Sequence, residues 1–197
     1  MRQRQYKSLE VDYSAGDAVF TDFNLIATSE RGYESAACSE LWMLLRVVGD
    51  EMPVVDRGPV RGLILARAAL HPVEAVKRLR EELLRSPEVF RVLLRILPVE
   101  VVVPTEVERI VDAARGLTPR IGADESFRIT VEKRRTGLRS REVIDAVAAG
   151  IDRRVDLEHP DWVVLIEIVG RYTGVSVIRP EALLNIQKEK ARLPAGG

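Results

Sequence analysis

The sequence predicts an α+β fold in two consecutive halves, and three observations predict it. Before residue 104, strand-length apolar runs and helical-period stretches follow the order strand, helix, strand, strand, helix, strand. A break follows Pro104. Beyond it, an alternating strand with a basic exit leads into a helix and two long apolar strands. The composition, 46% hydrophobic and 30% charged, suits a folded chain rather than a disordered one.

Residues 1–19 are polar without a sustained period and are expected to form a flexible lead-in. Residues 23–28 read as the first strand. Ala37, Leu41, Leu44, Leu45 and Val48 then recur at helical spacing, and Gly49 closes that helix. Trp42 and Cys38, inside the same helix, are expected in the core. Residues 52–55 and 62–66 flank Asp56-Arg57-Gly58-Pro59, strong turn chemistry, so a hairpin is expected. His71-Pro72 starts a second helix with proline in its first turn. Val73, Val76, Leu79, Leu83 and Leu84 make its buried side, and Pro87 stops it. Residues 90–97 read as a strand interrupted by Arg91 and Arg95, and Pro98 and Pro104 then bracket residues 99–103. This order is ferredoxin-like, with both helices on one face of an antiparallel sheet. The other face must be covered or used.

In the second half, Thr105 is expected to cap a helix, with Glu108 placed for a capping box. The strand from Ser126 carries Phe127, Ile129 and Val131 on one face and Arg128, Thr130 and Glu132 on the other. Ser140 is expected to cap a helix with Val143, Ile144, Val147 and Ala148 facing inward. Residues 162–169 are almost continuously apolar, as in a strand buried on both faces, and residues 172–178 are its partner. The expected division is a flexible segment at 1–19, a ferredoxin-like domain at 20–97, a second α/β domain at 98–182 and a tail at 183–197, with helical character from Ala182 to Arg192.

Formal net charge is +0, so any nucleic-acid surface must be a local patch balanced by acids elsewhere. Arginine greatly outnumbers lysine, which suits forked recognition of phosphate and equally suits a GC-rich or heat-adapted genome. The chain has 1 cysteine, which excludes an internal disulfide and a Cys-rich zinc site. His71 and His159 lie far apart, each before a proline, so no metal is expected. The N-terminus lacks a signal peptide's apolar core, and no apolar run is long enough to span a bilayer. A cytoplasmic location without membrane contact is expected.

No acid, base and nucleophile converge, and neither a catalytic residue nor a cofactor is assigned. Lys133, Arg134 and Arg135 concentrate positive charge at the strand exit, and Arg139, Ser140 and Arg141 follow, with Arg128 nearby. These residue types hold an anion, nucleic-acid phosphate above all. Ser140 and the N–H groups after it could hold a phosphate at a helix N-terminus. Arg91, Arg95, Arg171 and Arg179 are candidates to extend the track. The competing reading is a solvated basic loop, with Arg91 and Arg95 paired to acids on adjacent strands. Tyr33 and Phe90 are weak candidates for stacking on bases. Glu167 reads as an edge-exposed or Arg-paired carboxylate, and Asp156 and Asp161 as turn-bonding groups.

Several pieces stand in an order that resembles the THUMP domain, an RNA-binding module of tRNA-modification enzymes. They are Phe127-Arg128-Ile129 before Lys133-Arg134-Arg135, then Ser140-Arg141-Glu142-Val143, Val155-Asp156-Leu157 with Pro160-Asp161, Glu167, and Val175-Ser176-Val177. The resemblance covers roughly residues 98–180, and the upstream half looks like the ferredoxin-like domain that accompanies THUMP. Arg95-Ile96-Leu97-Pro98 and Leu184-Asn185-Ile186-Gln187-Lys188 resemble the stand-alone adaptor of tRNA cytidine N4-acetyltransferase. With only a tail after Pro180, no Gly-rich loop, no SGGxDS and no HxE with CxxC, no catalytic domain is expected. The resemblance implies tRNA binding at the acceptor stem and 3′ end, delivery to a separate tRNA acetyltransferase, and no enzymatic activity on this chain. The alternatives are a protein-interaction scaffold using an open sheet face and a minimal RNA-modifying enzyme.

Overall fold

The computed structural model describes residues 11, 12 and 19–193. Most of the lead-in expected at 1–19 lies outside the described residues. Within it, Val11–Asp12 (β1) pairs antiparallel with Val19–Phe20 (β2). The predicted element order follows: β3 (Leu25–Ser29), α1 (Glu34–Val47), β4 (Val54–Arg57), β5 (Leu63–Arg67), α2 (Pro72–Arg85) and β6 (Leu93–Pro98). Every strand pair among them is antiparallel, and β4 and β5 form the expected hairpin. Both helices lie on one face. Leu41, Leu44 and Leu45 of α1 and Val76, Leu79 and Leu83 of α2 pack on Leu25, Ala27, Ile64, Ala66 and Ile96. Each such fully buried aliphatic side chain contributes roughly 1.5–3 kcal/mol over its exposed state.

The second half comprises β7 (Val101–Pro104), α3 (Val107–Leu117), β8 (Ser126–Arg134), α4 (Ser140–Ala148), β9 (Arg154–Val155), β10 (Trp162–Val169) and β11 (Tyr172–Ile178). Its sheet runs β7-β11-β10-β8-β9. β8 is parallel to both β10 and β9, while β11 is antiparallel to β10 and β7. The alternation read in β8 holds: Phe127, Ile129 and Val131 join Ile110, Ala114, Val143 and Val147 in a core under α3 and α4.

The bare faces of the two sheets pack on each other. Phe23, Ile26, Leu63, Leu65 and Val99 meet Val169, Val102 and Tyr172. Val163, Leu165 and Ile178 meet Leu97 and Val73. The helix-free face of the first sheet is therefore not open, and a scaffold reading loses the surface it required. Gly174 makes the contact possible, because a Cβ there would stand 2.8 Å from a Val99 methyl and 3.3 Å from the Phe23 ring.

Several expectations are corrected. The stretch expected as a tail returns to the first sheet. Leu184–Asn185 (β12) pairs antiparallel with Ile96 and Arg95, and Ile186–Arg192 (α5) follows, capped by the Asn185 side chain. Its last residues, 194–197, lie outside the described residues. The strand expected from residue 90 starts at Leu93. The Glu40 carboxylate accepts the N–H groups of Arg91, Val92 and Leu93 at 2.9, 3.0 and 3.2 Å, so these donors are satisfied before the ladder begins. Thr105 does not cap α3; Glu106 holds that position, and the Thr105 hydroxyl bonds that of Thr173 at 2.9 Å. Ser140 is the first residue of α4, and Arg139 holds the cap position without a side-chain bond. Trp42 is 46% exposed because the buried stripe of α1 runs through Ala37, Glu40, Leu41, Leu44 and Leu45; Arg46 lies 5.4 Å from its ring. No helix among the described residues is long and apolar enough to cross a membrane.

Packing makes two predictions. Gly174→Ala should destabilise the chain by roughly 1–3 kcal/mol, read from its denaturation midpoint, because the added methyl would meet Val99, a side chain of the β6–β7 connection that is itself buried and tightly packed. The Cys38 thiol, half-buried against the first core, is pushed up to about 11 by that burial, with Asp56 adding to the rise. Its alkylation at neutral pH should therefore be roughly a hundredfold slower in the native chain than in urea.

Candidate nucleic-acid interface

β8 and β10 are parallel, so their C-terminal ends lie at the same edge of the sheet, where Arg134 faces Val169. The chain leaves β8 at Arg135, which has φ +54 and is the one non-glycine residue with positive φ among those described. The N–H of Gly170, in the β10–β11 turn, donates to the Arg134 carbonyl at 2.9 Å. The β7–α3 junction closes the third side, with the Thr105 N–H donating to the Arg171 carbonyl at 2.9 Å. These connections form a cleft of about 500 Å³ lined by Arg135, Thr136, Arg171, Tyr172, Thr105 and one acid, Glu106. Two cations that lie far apart in the sequence thus share one cleft.

The other basic residues divide into groups. Lys133 is exposed and donates to the Leu138 carbonyl at 3.0 Å, which shapes the loop beside the cleft. Arg139 and Arg141 are exposed at the start of α4. Arg141 pairs with Asp145 at 3.4 Å, but its side chain is 90% exposed, and such a contact is worth little. Arg134 points the other way, to the face opposite α4. Its Nη1 donates to Glu167 Oε2 at 2.6 Å. Lys133-Arg134-Arg135 is therefore not one patch, because the strand's period of two sends Arg134 to the opposite side.

A second cleft, of about 800 Å³, runs along that opposite face between the two sheets. It is lined by Arg128, Thr130, Glu132 and Glu167 from the second sheet and by Arg95 from the first. Arg128 donates from Nη1 to the Leu157 carbonyl at 3.3 Å, while its Nε is buried without a partner. Arg91 stands apart, before β6, where it donates to the Glu88 carbonyl at 3.4 Å. Arg179 is engaged internally. It pairs with Glu125 at 2.6 Å and lies 4.1 Å above the Trp162 ring, whose N–H also donates to Glu125. The Gly122 N–H, Trp162 and Arg179 together hold the Glu125 carboxyl below its usual range.

Of the aromatic candidates, Tyr33 is 51% exposed, whereas Phe90 is buried and cannot stack on a base. Glu167 is Arg-paired, as read from the sequence, and only 1% exposed. Asp156 accepts the N–H groups of Glu158 and His159, and Asp161 accepts the N–H and hydroxyl of Ser126, which holds both carboxyls below their usual range. Sequence reasoning missed Glu40 as an organiser of the β6 approach. The available signal was an acid on the apolar stripe of α1.

The THUMP domain family matches residues 104–178. The chain is 27% identical over 170 residues to an uncharacterized protein of Methanocaldococcus jannaschii, covering 84% of this chain and 43% of that one. The structure of PH1313 from Pyrococcus horikoshii Ot3 is similar with a TM-score of 0.61 at 19% identity, covering 80% of this chain and 55% of its own. TrmN from Thermus thermophilus is similar with a TM-score of 0.55 at 21% identity, covering 81% and 47%. The chain spans about half the length of these relatives, and at such identities the structural likeness is one of fold. The family match and the two-sheet architecture agree: residues 104–178 of this chain are a THUMP domain.

Proposed function

We propose that the chain binds tRNA, gripping the acceptor stem and its single-stranded 3′ end, and presents it to a separate tRNA-modifying enzyme, a cytidine N4-acetyltransferase. On this reading the chain works in the cytoplasm, acts by binding and carries out no reaction itself. The observation that carries it is the meeting of Arg135 and Arg171 in one cleft of the THUMP domain, with Lys133, Arg139 and Arg141 exposed beside it. Guanidinium forks in such a cleft suit phosphate oxygens, and exposed cations beside it can follow a backbone without reading bases. Backbone contact fits a protein that serves several tRNAs of shared shape. The second cleft carries Arg95 and Arg128 toward the first sheet, but among Glu132, Glu167, Glu181 and Glu189, so it contributes individual arginines rather than a basic surface.

The adaptor part draws on a different surface. On α1, Trp42, Met43 and Val47 are all more than 40% exposed, with Arg46 beside the Trp42 ring. Trp and Arg are the residue types that dominate protein interfaces, and an exposed apolar stripe marks a contact surface.

Reversal of Lys133, Arg135, Arg139 and Arg141 to Glu should weaken tRNA binding at least tenfold, roughly, in a fluorescence anisotropy titration. It should also flatten the slope of log affinity against log salt by about one for each phosphate no longer neutralised. Arg134 is left out because removing it strands the buried Glu167 charge and confuses folding with binding. Unchanged affinity and slope in the folded variant would remove this surface from the reading. For the adaptor part, cytidine acetylation of tRNA by a purified acetyltransferase should depend on added wild-type chain and fall with Trp42→Ala. Acetylation that ignores the chain would refute it.

A further inference from the structure

Glu167 is the one charged residue of β10, and it is 1% exposed in a strand otherwise made of Trp, Val, Leu and Ile. Its Oε2 accepts from Arg134 at 2.6 Å, and its Oε1 is buried with no partner. Strand register places Glu132 beside it on β8 and Gly174 beside it on β11. Burial pushes its carboxyl pKa up and Glu132 adds to the rise, while Arg134 and Arg95 oppose it. An apolar side chain would fill this position without the desolvation cost of a half-satisfied buried carboxylate. Stability alone therefore does not account for a glutamate here.

What a carboxylate does here, and an apolar side chain cannot, is orient Arg134. That residue occupies the last paired position of β8, opposite Val169, and its carbonyl receives the Gly170 N–H. The next residue, Arg135, turns out of the strand through a left-handed conformation into the smaller cleft. A slip at the end of β8 would change which residue makes that turn and where the guanidinium of Arg135 stands. We infer that Glu167 is a positioning residue for the RNA-binding loop: its ion pair with Arg134 holds the end of β8 against β10 and sets the placement of Arg135 and the segment to Arg139. This rests on the RNA-binding reading, with Glu167 acting through Arg134 and not touching RNA.

The test uses the full chain and an acceptor-stem hairpin RNA with a single-stranded 3′ tail. Glu167→Gln keeps the side-chain shape and removes the charge. It should stay folded by circular dichroism, bind roughly tenfold more weakly, and lose about one unit of salt slope. Adding Arg134→Met to it should cost little beyond Glu167→Gln alone, since the link is already broken. Amide exchange should rise at residues 134–139 and at Gly170 in Glu167→Gln, while the centre of β10 stays protected. Wild-type affinity and slope in Glu167→Gln, or a second loss of similar size in the double variant, would overturn the inference. If Glu167→Gln does not fold, the double variant, which leaves neither charge of the pair behind, decides alone: wild-type binding there overturns it. If the wild-type chain binds no tRNA hairpin, the RNA reading fails, and the exchange pattern still judges whether Glu167 positions the loop.

Discussion

Each of the two five-stranded sheets carries helices on one face only, and the rest of the structure depends on how their two bare faces are buried. They are buried on each other. Ile26, Leu63, Leu65 and Leu97 from the first sheet meet Val163, Leu165 and Val169 from the second. Face-to-face sheets pack about 10 Å apart, so the close approach tolerates little bulk, which is why Gly174 lies opposite Val99 and Phe23. Residues 180–192 return to the free edge of the first sheet at β6. With β12 paired to Arg95 and Ile96, and Leu184 and Ile186 buried in the first core, the chain covers that sheet's edge.

The charged side chains of the shared face gather at its β8 margin. Arg128, Glu132, Arg134 and Glu167 stand there with Thr130, where contact between the sheets gives way to the larger cleft. Parallel pairing then determines the smaller cleft. Because β8 and β10 run the same way, the exit of one and the turn after the other meet at one edge, and β7, antiparallel to β11, brings the start of α3 alongside. Strand ends at such an edge expose backbone groups and loops that can carry binding residues on a rigid base. The phosphate-holding arrangement proposed for Arg135 and Arg171 is thus a consequence of topology as much as of charge.

Much of this was legible in the sequence, because period is a local property. The element order before residue 104, the two faces of β8 and the burial of β10 all follow from where apolar residues recur. What was not legible depended on contacts between distant residues. Nothing local marks Glu40 as the acceptor for three N–H groups near β6, so the strand was expected to begin too early. Thr105 and Ser140 carry the residue types of caps, yet Thr105 is taken by Thr173 from another strand, and the turn before Ser140 gives Arg139 the cap position. The helical character of residues 186–192 is legible, but Leu184–Asn185 is not, because a two-residue edge strand is too short to show a period. In the basic run, the types were readable and the directions only partly so. Alternation sends Arg134 to the face opposite Lys133, but that Glu167 waits there is a long-range fact.

The near-zero net charge can be understood from the same contacts. Arginine is spent widely as structural cross-links: Arg80 to Glu189, Arg120 to Glu100, Arg134 to Glu167 and Arg179 to Glu125. Each neutralises an acid locally, so these pairs leave the total near zero while a basic edge persists at the exit of β8. Arg80 to Glu189 ties α2 to α5, and Arg179 fixes the end of β11 against the turn before β8. Part of the arginine in this composition therefore serves to join elements. The exposed cations beyond Arg134 lie where β8 ends and its period no longer constrains the chain. Arg134 marks the boundary between the two uses, paired inward with Glu167 while its backbone receives Gly170 and leads directly to Arg135.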